Sequence, residues 1–82
     1  MTVRELIQLL EKQPPEMKVV VRGYEAGYND AIRLEEVEVL PYKNREWYYG
    51  CHSEVYSWTH SKKKAVKMIE ICGGREDGKA YE

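Results

Sequence analysis

Eighty-two residues leave room for one hydrophobic core and no second domain of ordinary size, and a chain this short buries only about 60–65% of the surface its unfolded form exposes. Lys and Arg number 13 against 14 Asp and Glu, a net charge of −1, without the strongly basic footprint of most nucleic-acid-binding domains. Two cysteines make no disulfide framework and no apolar run is long enough to span a membrane, so a cytoplasmic protein with reduced thiols is expected.

Thr2 opens the first element. With Glu5 three residues on, it reads as a capping box, the Thr hydroxyl accepting from the Glu5 amide. Val3, Leu6, Ile7, Leu9 and Leu10 follow at helical spacing and form one apolar face, with Arg4, Gln8, Glu11 and Lys12 opposite. Pro14-Pro15 ends the helix, because neither residue can donate a backbone hydrogen bond. The Leu6, Leu9 and Leu10 stripe is expected to face a sheet.

Lys18-Val19-Val20-Val21-Arg22 is β-branched and reads as a strand, central in its sheet. Gly23 to Asp30 reads as a loop, being rich in residues that tolerate positive φ. Ala31 to Tyr42 reads as a second strand, with Pro41 closing it or lying on an edge. Glu46–Gly50 and Glu54–Thr59 are two further strand candidates, and His60–Lys63 is a polar turn. Lys64–Cys72 is a last strand stopped by Gly73-Gly74. Residues 75–82 are charged and read as a frayed tail after a single domain over 1–74.

The fold class is therefore α+β: an N-terminal helix packed on one face of a four- or five-stranded antiparallel sheet. A helix of about eleven residues spans roughly 16 Å and cannot cover both faces. The second face is left for solvent, a second copy or a partner.

Two stretches carry a resemblance. Thr2-Val3-Arg4-Glu5-Leu6-Ile7 with Pro14-Pro15 and the run Val19 to Asp30, containing Gly23-Tyr24-Glu25-Ala26-Gly27-Tyr28-Asn29-Asp30, form the first. Glu46-Trp47-Tyr48-Tyr49-Gly50 followed by His52 forms the second. Together they resemble a group of short uncharacterised bacterial and prophage-type proteins, over about the first 52 residues. The resemblance implies a bacterial or phage cytoplasmic setting and no particular chemistry.

Four groups of residues are candidates for function. Tyr24 and Tyr28 flank glycines in the 23–30 loop, a composition suited to adaptable recognition; a chain without Phe can equally use these tyrosines to cover its core. Trp47, Tyr48, Tyr49, Tyr56 and Trp58 form an aromatic set. Strand alternation puts Trp47 with Tyr49, and Tyr56 with Trp58 on a face away from Val55. Tyr and Trp are enriched at interfaces.

Cys51, His52, His60 and Cys72 have the residue types of a zinc site but not its spacing, and neither a metal nor a cofactor is expected. Lys62, Lys63 and Lys64, with Lys67, lie beside the aromatic strand; Tyr56, Trp58 and these lysines would suit single-stranded nucleic acid. The alternative is a solvated turn whose lysines discourage edge-to-edge pairing. Ser53, Ser57, His52 and His60 could form a dyad in many ways, but no nucleophile elbow or glycine-rich phosphate loop is present.

The sequence thus points to a non-enzymatic protein-interaction module, binding itself as a homodimer or another protein through an open sheet face, an edge strand or the Tyr-rich loop. The alternative is a nucleic-acid-binding domain.

Overall fold

The computed structural model describes residues 1–56, 58–59 and 62–79, with the backbone alone at Lys62. Ser57 and His60 therefore lie outside the described residues, as does the end of the expected tail. The architecture is α+β: one N-terminal helix and a four-stranded, mostly antiparallel sheet.

Helix α1 spans Val3–Glu11. Thr2 caps it with extended backbone, its hydroxyl accepting from the Glu5 amide at 3.1 Å and donating to Glu5 Oε1 at 3.1 Å. The Glu5 carboxylate thus reaches back to the cap hydroxyl. The Lys12 and Gln13 amides donate to the Leu9 and Leu10 carbonyls, closing the last turn before Pro14. On the apolar face Leu6 is half-buried, while Val3, Ile7, Leu9 and Leu10 stay exposed, Leu9 and Leu10 each by 47%.

The strands are β1 (Val20–Arg22), β2 (Tyr28–Leu40), β3 (Ser53–Glu54) and β4 (Val66–Gly74), with a 3₁₀ turn at Lys62–Lys64. β2 is the spine, pairing with each of the others. Val20 faces Asp30 and Arg22 faces Tyr28 in the antiparallel β1–β2 pair; Val39 faces Glu54 and Leu40 faces Ser53 in β2–β3. β4 pairs with β2 alone, so its other edge has no strand partner among the described strands.

Four strand expectations are corrected. β1 is shorter than Lys18–Arg22 and sits at an end of the sheet rather than its centre. A thirteen-residue β2 has the length to serve three partners, whereas a three-residue strand does not. β2 starts at Tyr28, so the loop is only 23–27. Glu46–Gly50 is not a strand: the Tyr49 amide bonds back to the Glu46 carbonyl at 3.1 Å, a turn that strand pairing cannot accommodate. Among the described residues of the candidate Glu54–Thr59, Glu54 alone is in a strand, and the Thr59 amide returns to the Tyr56 carbonyl at 3.0 Å.

β4 runs through the two glycines expected to stop it. Gly73 is needed there by close approach: a Cβ at that position would lie 2.5 Å from Cγ2 of Val21, a stiff β-branched side chain with little room to move.

The chain divides into two compact units, Met1–Ala31 with Gly73–Glu82, and Ile32–Cys72. In the first, the 23–27 loop joins β1 to β2 through a tight turn centred on Glu25 and Ala26. The Gly27 amide donates to the Tyr24 carbonyl at 3.1 Å, and the Gly23 amide to the Gly27 carbonyl at 2.9 Å. Both central residues have positive φ, Glu25 at 46° and Ala26 at 64°. Hairpin turns of this hand match the strand twist but favour Asn-Gly. Each non-glycine residue held there costs about 1–2 kcal/mol. Ala26→Gly is therefore expected to raise stability by about 0.5–1 kcal/mol, net of the extra freedom glycine brings to the unfolded chain, as read by urea unfolding.

Residues after β4 are tied into this unit. The Glu76 amide donates to Asp30 Oδ2 at 3.0 Å, Lys18 Nζ reaches Glu76 at 3.4 Å, and Arg75 grips Asp77 through two nitrogens at 2.9 and 3.1 Å. The second unit holds the two side chains that are buried among those described, Leu40 at 6% and Cys72 at 7% exposure.

Candidate functional site

The Tyr-rich loop displays its rings. Tyr24, at the first position of the turn, is 89% exposed. Tyr28 lies in β2 opposite Arg22, whose guanidinium sits 4.9 Å from the ring centroid, a cation–π contact that register itself provides. Neither tyrosine is buried as a cover over the core.

The aromatic set is presented by turns rather than strand faces. Pro41 ends β2, and Tyr42 takes a positive φ of 51°, uncommon for a bulky residue. His52 holds it there: the Tyr42 amide donates to His52 Nδ1 at 3.1 Å, and the rings meet edge to face at 4.7 Å. With Nδ1 accepting, the neutral imidazole carries its proton on Nε2. Asn44 closes the following loop, its amide donating to the Cys51 carbonyl at 3.2 Å and its Nδ2 to the Gly50 carbonyl at 2.8 Å. Trp47 and Tyr48 occupy the tip of the Glu46–Tyr49 turn, and Trp47 is 91% exposed. The rings of Trp47, Tyr48 and Tyr49 follow one another at 5.7 and 4.9 Å.

Tyr56 and Trp58 do come together, as alternation suggests, but by a different route. Beyond the end of β3, the Tyr56 amide donates to Thr59 Oγ1 at 2.8 Å and the Thr59 amide to the Tyr56 carbonyl, curling the chain so that the two rings stack in parallel at 4.7 Å. Both stay exposed.

A cavity of about 290 Å³ opens below the Tyr42 turn, lined by Leu40, Pro41, Tyr42, Lys43, Arg45 and Lys64. Sequence reading singles out Lys64 and not Lys43 or Arg45. The available signal is the pair of cations, Lys43 and Arg45, set between Tyr42 and the Trp47–Tyr49 rings. A second concavity of about 300 Å³ lies in the other unit, among Tyr28, Asn29, Asp30, Gly74, Arg75 and Asp77. Its charges answer one another, Arg75 with Asp77 and Asp30 with the Glu76 amide.

Among the described zinc-type residues, Cys51, His52 and Cys72 do not form one cluster. His52 Nδ1 is occupied by the Tyr42 amide and Cys51 is exposed. Strand pairing instead brings Cys72 to Glu35 and Glu70, with one donor atom of each within 4.8 Å of the others. Glu70 and Cys72 share one face of β4 at a spacing of two, but Glu35 comes from β2, so no local spacing announces the whole cluster. Arg33 Nε bonds Glu35 Oε1 at 2.8 Å, and this hydrogen bond and charge hold the Glu35 carboxyl below its ordinary range. Burial, followed by the neighbouring carboxylates, pushes the Cys72 thiol up. A thiol and two carboxylates could offer three ligands to a divalent cation once the thiol loses its proton. In the arrangement seen, Arg33 already answers Glu35.

Burial and a raised pKa both make Cys72 a slow nucleophile, whereas Cys51 is accessible. One thiol per native chain is expected to react rapidly with Ellman's reagent and one only on unfolding; Cys51→Ser should abolish the fast phase. The Ser53 hydroxyl donates to the Glu54 carbonyl at 3.2 Å, so His52 and Ser53 form no dyad.

No family model, curated protein or solved structure matches this chain. Among the described residues, no helix is long and apolar enough to cross a membrane.

Proposed function

We propose that this chain is a small non-enzymatic protein-interaction module of a bacterial or phage cytoplasm, and that the protein it binds first is a second copy of itself. The observation that supports this reading is the distribution of apolar surface. Leu40 and Cys72 are buried among the described residues, while Val3, Ile7, Leu9 and Leu10 of α1 and Val66, Ile69 and Ile71 of β4 remain exposed.

Magnitudes make that distribution meaningful. Fully burying an aliphatic side chain contributes about 1.5–3 kcal/mol, and ordering a backbone costs roughly 1–2 kcal/mol per residue. Half-covered side chains contribute about half of the burial energy in the single chain, and a partner that closes over them supplies the remainder. A chain that folds when alone in solution has only its own copies to supply that cover. The open edge of β4 suits such pairing, because unpaired strand edges accept another strand and a two-fold axis lets one edge serve both copies. Tyr24, Tyr28, Tyr56 and Trp58 are the exposed rings that would extend the contact or recruit a host protein.

Sedimentation equilibrium tests this. The expected mass is twice the 9.7 kDa of the chain, falling toward the monomer only on dilution with loss of structure. A folded species of monomer mass at all concentrations would overturn the reading.

A further inference from the structure

We propose that the cavity between the Pro41–Arg45 turn and Lys64 receives a backbone phosphate of single-stranded nucleic acid, while the exposed indole of Trp47, two residues beyond Arg45, stacks on an unpaired base. This site is separate from the β4 edge and does not depend on self-association.

Charge is the first support. Lys43, Arg45 and Lys64 line the cavity, and no carboxylate among the described residues does. The ion pairs among the described residues join Lys18 to Glu76, Arg33 to Glu35 and Arg75 to Asp77, and involve none of the three. From Pro41 to Lys64 the chain carries five basic residues (43, 45, 62, 63, 64) against two acidic ones (46, 54), although the whole protein is at −1. Phosphate is the ligand that several cations around an open concavity favour.

Geometry is the second. Trp47 follows Arg45 by two residues, so their Cα atoms are at most about 7 Å apart, and a base can lie on the indole while its phosphate meets the guanidinium. At 91% exposure the Trp47 indole is open to solvent. The display is braced: His52 pins the Tyr42 turn and Asn44 clamps the loop at Gly50 and Cys51, so little order remains to be acquired on binding.

Flat, accessible rings among cations select bases over an acidic peptide, which offers charge without stacking surface. They select single strands over duplex, whose bases are already stacked and whose dense charge calls for a more basic protein.

The test uses the full chain and a fluorescein-labelled 12-nucleotide DNA of mixed sequence, followed by anisotropy at 50 and 200 mM salt. The single strand is expected to bind at least tenfold more tightly than its duplex. Trp47→Ala should weaken binding by about tenfold to a hundredfold, and Gln13→Ala, an exposed residue after α1, should leave it unchanged. Lys43→Ser with Arg45→Ser should reduce the salt slope by about 0.7, the change for one phosphate no longer neutralised. Trp47 touches little else, so its variant should keep the parent melting temperature. If the variant does not fold, the Lys43/Arg45 pair decides. No binding at 50 mM salt, an unaltered affinity in folded Trp47→Ala, an unaltered salt slope, or equal competition by polyglutamate would each overturn the proposal.

Discussion

Leu40→Ala is expected to destabilise the protein by about 2–5 kcal/mol, the range for truncating a buried leucine. Leu40 ends β2 opposite Ser53, and at 6% exposure it is the large aliphatic side chain that is buried among those described. Its truncation removes methyl groups from the most enclosed point of the second unit and leaves a void that a sheet braced by β3 fills only partly. Leu10→Ala offers the contrast. Leu10 is 47% exposed in the single chain, so about half of the transfer free energy is at stake there unless a second copy covers α1. Urea unfolding of both variants at micromolar concentration gives the comparison. A Leu40→Ala midpoint within error of the parent would show that the second unit does not rest on this residue.

The second large effect is expected at the open edge. Ile69 and Ile71 project from the same side of β4 and are 50% and 38% exposed. Replacing both with Lys puts four like charges across a two-fold interface, which strand edges use naturally to prevent pairing. The double variant is expected to sediment at the monomer mass and to melt well below the parent. Surface substitutions without a partner usually change stability by no more than about 0.5 kcal/mol, so a large loss in both mass and stability would tie folding to association. A double variant that keeps the dimer mass would move the contact away from β4.

How much of this is legible in the sequence follows from what each signal depends on. Helix α1 is readable because its cap, its apolar spacing and its proline stop all lie within fifteen consecutive residues. The α+β class and the positions of β2 and β4 are readable from β-branched runs. Misreadings occur where a local pattern is outweighed by contacts distant in sequence or by side chains bonding to backbone. Trp47-Tyr48-Tyr49 has strand composition, but Asn44 and the Tyr49 amide close it into a turn. Gly73-Gly74 looks like a stop, yet Gly73 lies within β4 because Val21 approaches it.

The candidate site divides the same way. Tyr24, Tyr28, Tyr56 and Trp58 are identifiable by residue type, and all are exposed. Lys43 and Arg45 are not, since only the turn at Tyr42 and its bond to His52 set them around a cavity with Lys64. Glu35, Glu70 and Cys72 meet through strand pairing, which composition does not reveal.

The central claim, that folding and self-association are one process, is tested most directly by thermal melts at different protein concentrations. A species stabilised by its own copies gains about 2.7 kcal/mol from a hundredfold rise in concentration, which corresponds to a shift of roughly 5–10 °C for a pair of chains of this size. Melting at 1 and at 100 micromolar is therefore expected to give midpoints separated by about that amount. Cooperative transitions that superimpose at the two concentrations would contradict the account.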